Sequence, residues 1–343
     1  MKNMLRPSLA IVCLFLFHGL QAQQRMQYSQ FLQNGFLLNP SLCGIESYND
    51  VKVGYAKQWN GFEGPAGTFF TYQHHIGSDS VAAPATSLDL PMRGRLKPMD
   101  AKPATGDADT ANPRFKQGWG IQVFNEGDDI ISNSELSFAY AAHFLTAKKF
   151  YVSGGFTFGL RQNRFNPEGI RILNQNDMVF AGGTRNIYLP VINLGFSVYN
   201  RNWFASYSSM QVLNNRYSYD VKDPLRPARL QAHHYLMGGY RFRLSNQLSV
   251  MPSLLVRYAF PSPPSVDLNV MLDYKDLFRA GLSYRNKESV IVLMGFTVSS
   301  RVVISYAFDF VTSPIKNFSS GTHGIIMGVR LGGKKSHVPS YFW

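Results

Sequence analysis

The sequence predicts an all-β protein, a transmembrane antiparallel β-barrel of about 14 strands preceded by a short N-terminal segment. Alternation of apolar and polar residues recurs in units of about ten residues bounded by turn residues. A tilted strand crossing a membrane needs about nine to eleven, whereas strands of soluble sandwiches run to about five or six. Aromatic residues crowd the unit ends, among them Tyr188, Tyr199, Trp203, Tyr207, Tyr258, Phe260, Tyr274, Phe278 and Tyr284, where interfacial girdles belong. No apolar run of the mature chain is long enough for a membrane helix.

The chain opens with Lys2 and Arg6, the apolar run "LAIVCLFLF" and then "HGLQAQQ", a secretory signal peptide over 1–22 with cleavage near Ala22. No cysteine stands directly after the cleavage point, since Cys13 lies inside the apolar run and Cys43 well beyond it, so lipidation is not expected. Without the signal, Cys43 is the only cysteine and no intramolecular disulfide can form. Removing Lys2 and Arg6 from the formal +13 leaves +11. An exported chain with dispersed charge and no nucleic-acid module excludes nucleic acid as the partner; anionic lipid or an acidic protein suits the charge better.

Residues 23–50 form an N-terminal periplasmic segment or plug. In "QYSQFLQNGFLLNPSLCG", Tyr28, Phe31, Leu32, Phe36 and Leu37 fall roughly on one helical face until Asn39-Pro40 ends the pattern, because the residue before a proline disfavours the helical region. The segment can lie in or under the periplasmic mouth, or be an unstructured leader.

The barrel spans 51–333 and a tail 334–343. Its strand candidates are 51–59, 65–76, 117–126, 132–145, 149–161, 188–199, 202–212, 231–244, 247–260, 265–275, 277–286, 289–298, 301–311 and 321–332. Alternation is clearest in the second half. Val266, Leu268, Val270, Leu272 and Tyr274 oppose Asp267, Asn269, Met271 and Asp273; Phe278, Ala280, Leu282 and Tyr284 oppose Arg279, Gly281, Ser283 and Arg285. Minimal links follow even-numbered candidates and most longer ones follow odd-numbered candidates, which places both termini in the periplasm. The insertion 77–116 is long for the periplasmic side and carries the basic "MRGRLKPMDAK".

Catalytic and cofactor signatures are absent. Within His74-His75 and His233-His234, strand neighbours point to opposite faces, so neither pair chelates a metal. "GDD" at 127–129 reads as hairpin acid. Adjacent glycines such as Gly154-Gly155 lack a phosphate-loop context and suit strand bends or close packing. Candidate lumen charges are Arg161, Arg257 and Arg279 with Asp267, Asp273 and Asp309, alongside Arg241, Arg285 and Arg330. They form either an internal salt-bridge network or a selectivity ring.

The stretches "QYSQFLQNGFLLNPSLCG", "YAKQWNGFEGPAGT", "GWGIQVFNEGDD", "SVMPSLLVRY", "GLSYRNKESVIVLMGF", "ISYAFDF" and "SSGTHGI" resemble, in order from about Gln27 to Leu331, the PorP/SprF family of type IX secretion outer-membrane proteins. The resemblance implies a non-enzymatic barrel that supports secretion or cell-surface attachment of cargo proteins, in some cases gliding adhesins, together with other secretion components. It singles out Phe31, Phe36, Asn39, Pro40, Gln58, Trp59, Gly61, Arg285, Ser320, Gly321 and His323 as candidate partner or plug contacts. The insertion 77–116 departs from the pattern, as does Gly324, where the family often has Glu. A general porin is the competing reading, and an outer-membrane hydrolase a third. Periodicity alone leaves the secretion component and the porin level.

Overall fold

A computed structural model describes residues 27–331 apart from 47, 62–63, 77–113, 149, 168–182, 201, 219–227, 246, 276 and 300. Fourteen long antiparallel strands form a closed ring. They are β1 (Asn49–Lys57), β2 (Ala66–Ile76), β3 (Phe115–Gly127), β4 (Ile131–Leu145), β5 (Tyr151–Phe165), β6 (Arg185–Tyr199) and β7 (Trp203–Met210). β8 (His233–Tyr240), β9 (Leu248–Tyr258), β10 (Ser265–Tyr274), β11 (Phe278–Arg285), β12 (Ser289–Thr297), β13 (Val302–Val311) and β14 (Thr322–Leu331) complete it. Each pairs with its chain neighbours, and β1 closes on β14 from Asn49↔Leu331 to Lys57↔His323. Closure removes both sheet edges, which a bilayer with no water to satisfy them demands.

The predicted alternation becomes an inside and an outside. On β10, Leu268 and Val270 face out while Asp267, Asn269, Met271 and Asp273 are buried within. On β13, Val303, Ser305, Ala307 and Asp309 are inward and Tyr306 and Phe310 outward. Tyr199 departs from the expected girdle. It shares parity with inward Asn193 and Ser197, and is fully buried inside the barrel.

The C-terminal ends of the odd strands lie at one end of the barrel, where the chain leaves them for the longer stretches before β6, β8 and β14, and we name it the loop end. At the opposite end, the turn end, links such as 200–202 and 275–277 are short, whereas Ile76 and Phe115, also at that end, are far apart in sequence. Most of the insertion 77–116, and the whole of the segments 1–22 and 334–343, fall outside the described residues. Strands β3 to β6 have 13 to 15 residues but β7 and β8 only 8, so β6 rises above its neighbour. Pro190, which lacks an N–H, sits on that rise with its carbonyl accepting from Asn215 Nδ2 at 2.6 Å. Leu189 packs there with Tyr217 and Leu230 of the 211–232 connection.

About eight strands enclose a space that wall side chains can fill, whereas sixteen or more leave an aqueous channel. A ring of fourteen therefore needs filling, and residues 27–46 supply it. The expected helix is absent: the segment makes two single 3₁₀ turns, Gly35–Leu37 and Pro40–Leu42. Asn39-Pro40 starts the second turn rather than ending a helix, with Asn39 as its cap and Pro40, whose missing N–H costs nothing there, at the first position.

Candidate functional site

The segment inside the barrel runs its full height. Gln27 bonds Arg257 near the loop end of β9, and Ser29 Oγ donates to Asp309 at 2.5 Å near the loop end of β13. Midway, Gln30 and Gln33 bond Ser305, at 3.1 and 2.8 Å, and Asn34 bonds Thr71 at 3.2 Å. Toward the turn end, Ser41 meets Ser197, Ser153 donates to the Ser41 carbonyl, His143 Nε2 lies 2.9 Å from the Cys43 carbonyl, and Lys116 donates to that of Ile45. The described part of the segment thus begins at the loop end and descends through the lumen to β1, rather than lying only in or under one mouth.

Apolar contacts complete the fit. Phe31, Leu32, Leu37, Leu42 and Ile45 join inward Met237, Met251, Leu255, Leu293 and Ile326 in one buried cluster, while Phe36 and Cys43 pack on Ala139 and Ala141. Glycines on the wall admit the segment. A Cβ on Gly195 would lie 2.0 Å from Asn39 Oδ1, and one on Gly118 2.3 Å from the Gly44 Cα. Cys43 is wholly enclosed.

Asn39 is the anchor. Its Oδ1 accepts from Ser41 N (2.9 Å) and Ser41 Oγ (2.7 Å), and its Nδ2 donates to the carbonyls of Phe196 and Tyr207 at 3.3 and 3.2 Å. Pro40 lies buried beside it against Gly155.

The lumen charges fall into separate groups, not a ring. At the loop end, Arg285 bonds Asp267, Asp309 and Ser29, with Arg257 on the other side of Asp267. Arg161 lies across the barrel with Glu126 at 3.2 Å and Glu135 at 3.5 Å. Arg279 pairs with Asp273 at 2.6 Å near the turn end. Arg330 stacks on Tyr48, and Arg241 is buried. Sequence reasoning passed over Glu126, Glu135, Lys116, His143 and the buried Asp50–Lys52 pair. Parity could have found them, since Lys116, Gln122 and Glu126 share the inward register of β3.

The remaining motif residues meet on the loop-end rim. Asn60 N donates to the Gly321 carbonyl and Ser320 N to the Asn60 carbonyl, each at 2.7 Å, and Trp59 N lies 3.3 Å from Thr322 Oγ1. The 58–65 connection, containing Gln58 and Gly61, is thereby zipped to the 312–321 connection. Gly61 and Gly321 hold positive φ of 94° and 122°, a region that glycine enters without the clash of a Cβ. His323 is apart from it, facing outward with its Nδ1 2.7 Å from Tyr306 Oη.

The histidine pairs split between faces. His75 Nδ1 reaches the Gly44 carbonyl inside, and His74 packs on Trp119 outside. Asp128 Oδ1 accepts from the backbone of Ile130 and Ile131, a turn cap. Among the described residues no cluster of three metal-ligating side chains occurs.

The sequence matches the family described as "Type IX secretion system membrane protein PorP/SprF" over residues 20–329. The chain belongs to the PorP/SprF family. Comparison with curated proteins gives no match. Solved structures similar to this PorP/SprF protein include the Ralstonia pickettii toluene transporter TbuX, with TM-score 0.47, 10% identity and coverage of 88% of this chain and 94% of that one. The Pseudomonas putida toluene transporter TodX gives 0.44, 10%, 87% and 93%, and a Pseudomonas aeruginosa FadL homologue 0.44, 11%, 85% and 91%. Such remote likeness says nothing about what this PorP/SprF barrel carries. It is an outer-membrane barrel of a secretion family, a non-enzymatic type, and its lumen is filled by its own N-terminal segment.

Proposed function

We propose that the protein is a non-enzymatic scaffold of the type IX secretion apparatus, supporting secretion or cell-surface anchoring of cargo proteins, gliding adhesins among them, with its own lumen shut. The observation that carries this reading is the polar stitching of residues 27–46 to nine of the fourteen strands, in a chain of this family. A segment so held occupies the lumen along its height, which disfavours a general porin, so partner contacts belong to the exterior, the loops and the rim. The loop end faces outward, and the basic 77–116 insertion, with Arg93, Arg95, Lys97 and Lys102, meets an acidic periplasmic or peptidoglycan-linked component. Deleting the gene should abolish release or surface display of cargo, and complementation should restore it. Intact secretion combined with lost uptake of small solutes would support the porin instead.

A further inference from the structure

Arg279 is 2% exposed. Its Nε donates to Asp273, yet Nη1 and Nη2 are shielded from solvent and have no acceptor among the described residues. Ser249 Oγ, fully buried, also lacks a partner among the described residues. These residues belong to one ladder row, Ser249↔Asp273 and Asp273↔Arg279, and all three are buried toward the interior. The row continues to Gly295, which has no side chain to fill the space; the nearest atom to a Cβ there would be Arg279 Cβ at 3.5 Å. The N-terminal segment reaches this row only at Ser305, which pairs with Gly295 and bonds Gln30 and Gln33; among the described residues none of its hydrogen bonds goes to Ser249 or Arg279.

A guanidinium stripped of water with four N–H groups unsatisfied is a costly arrangement, and it is relieved most effectively by an anion. We propose that this part of the lumen holds a phosphate-type oxyanion on Arg279 and Ser249. Asp273 occupies the Nε side and orients the guanidinium, leaving the Nη edge for two anion oxygens. Ser249 takes a third. A tetrahedral oxyanion offers three oxygens to such a face, and a carboxylate only two. Because the site is enclosed, the anion is captured as the barrel closes and exchanges slowly afterwards.

The test uses mature protein purified from outer membranes, delipidated in phosphorus-free detergent and buffer, then denatured in acid. Phosphorus close to stoichiometric with the chain is expected, and it should fall to background in Arg279→Met and Ser249→Ala. Release detected as inorganic phosphate identifies the free ion, and phosphorus detected only after ashing identifies a lipid headgroup. Because Arg279→Met can fail to fold, wild type and Ser249→Ala are also refolded with labelled phosphate and desalted. Retention by wild type and loss by Ser249→Ala support the site. No phosphorus in wild type by either route, or equal amounts in wild type and Ser249→Ala, would overturn it and leave ordered water as the partner of Arg279.

Discussion

Asn39→Ala should loosen the N-terminal segment without opening the barrel wall, and the native Cys43 reports it. The substitution removes two hydrogen bonds to wall carbonyls and the cap on Ser41. Net contributions of about 0.5 to 1.5 kcal/mol per bond, and a similar amount for a lost cap, give about 2 to 4 kcal/mol. Cys43 is 0% exposed, so a maleimide reaches it only when the segment leaves its seat. In the regime where reseating is faster than labelling, the labelling rate follows the opening equilibrium. It should therefore rise about 30-fold to about 1000-fold in the variant, at about 1.4 kcal/mol per factor of ten. The assay is mass spectrometry of refolded mature protein over time, with heat-modifiable gel mobility confirming that the barrel stays closed. A rate within about threefold of wild type would refute the assignment of Asn39 as the anchor, because threefold is only about 0.7 kcal/mol, about what one weak bond supplies and well short of two bonds and a cap.

Adding a side chain where the wall makes room should act in the same direction: Gly118→Val collides with the backbone at Cys43 and Gly44, and should raise both Cys43 labelling and current in planar bilayers. Arg285→Met leaves the buried Asp309 carboxylate without an ion-pair partner among the described residues and Asp267 with Arg257 alone, and should cost about 3 to 5 kcal/mol in urea unfolding, with Asp309→Asn in the same chain restoring part of it. Val270, half exposed on the outer face of β10, should tolerate Leu, whereas Val270→Arg should lose about 2 to 4 kcal/mol of folding into vesicles; equal folding of the two would refute the register. Cysteines at exposed Lys287 and Arg301, on opposite ends, should react with an impermeant reagent in intact cells only at 287. Labelling only at 301 would invert the orientation.

The strands were legible because side-chain parity in a barrel wall is a local property: each of Asp267, Asn269 and Asp273 can be placed inward from its own segment. Tyr199 shows where locality stops. An aromatic residue at a strand end suits either a girdle or the lumen, and only counting back through Ser197 and Asn193 decides. The path of residues 27–46 was less legible. Its apolar residues resemble a helix face, but inside a closed ring the partners surround the segment, so Phe36 packs on β4 and Gln30 reaches β13. No helical periodicity encodes an environment that exists only after fourteen strands have closed. Gly118 and Gly195 were likewise unreadable as room for a segment that is distant in sequence.

The central claim is that this barrel works with its lumen shut, and locking the segment tests it most directly. The hydroxyls of Ser41 and Ser197 touch inside the lumen, so Ser41→Cys with Ser197→Cys, in a Cys43→Ser background, should form a disulfide joining the segment to β6. The account predicts that cells carrying the oxidised, cross-linked barrel secrete and display cargo at wild-type levels, with and without reductant. Secretion that stops in the cross-linked protein and returns on reduction would contradict it, because the segment would then have to move and the lumen would be the route.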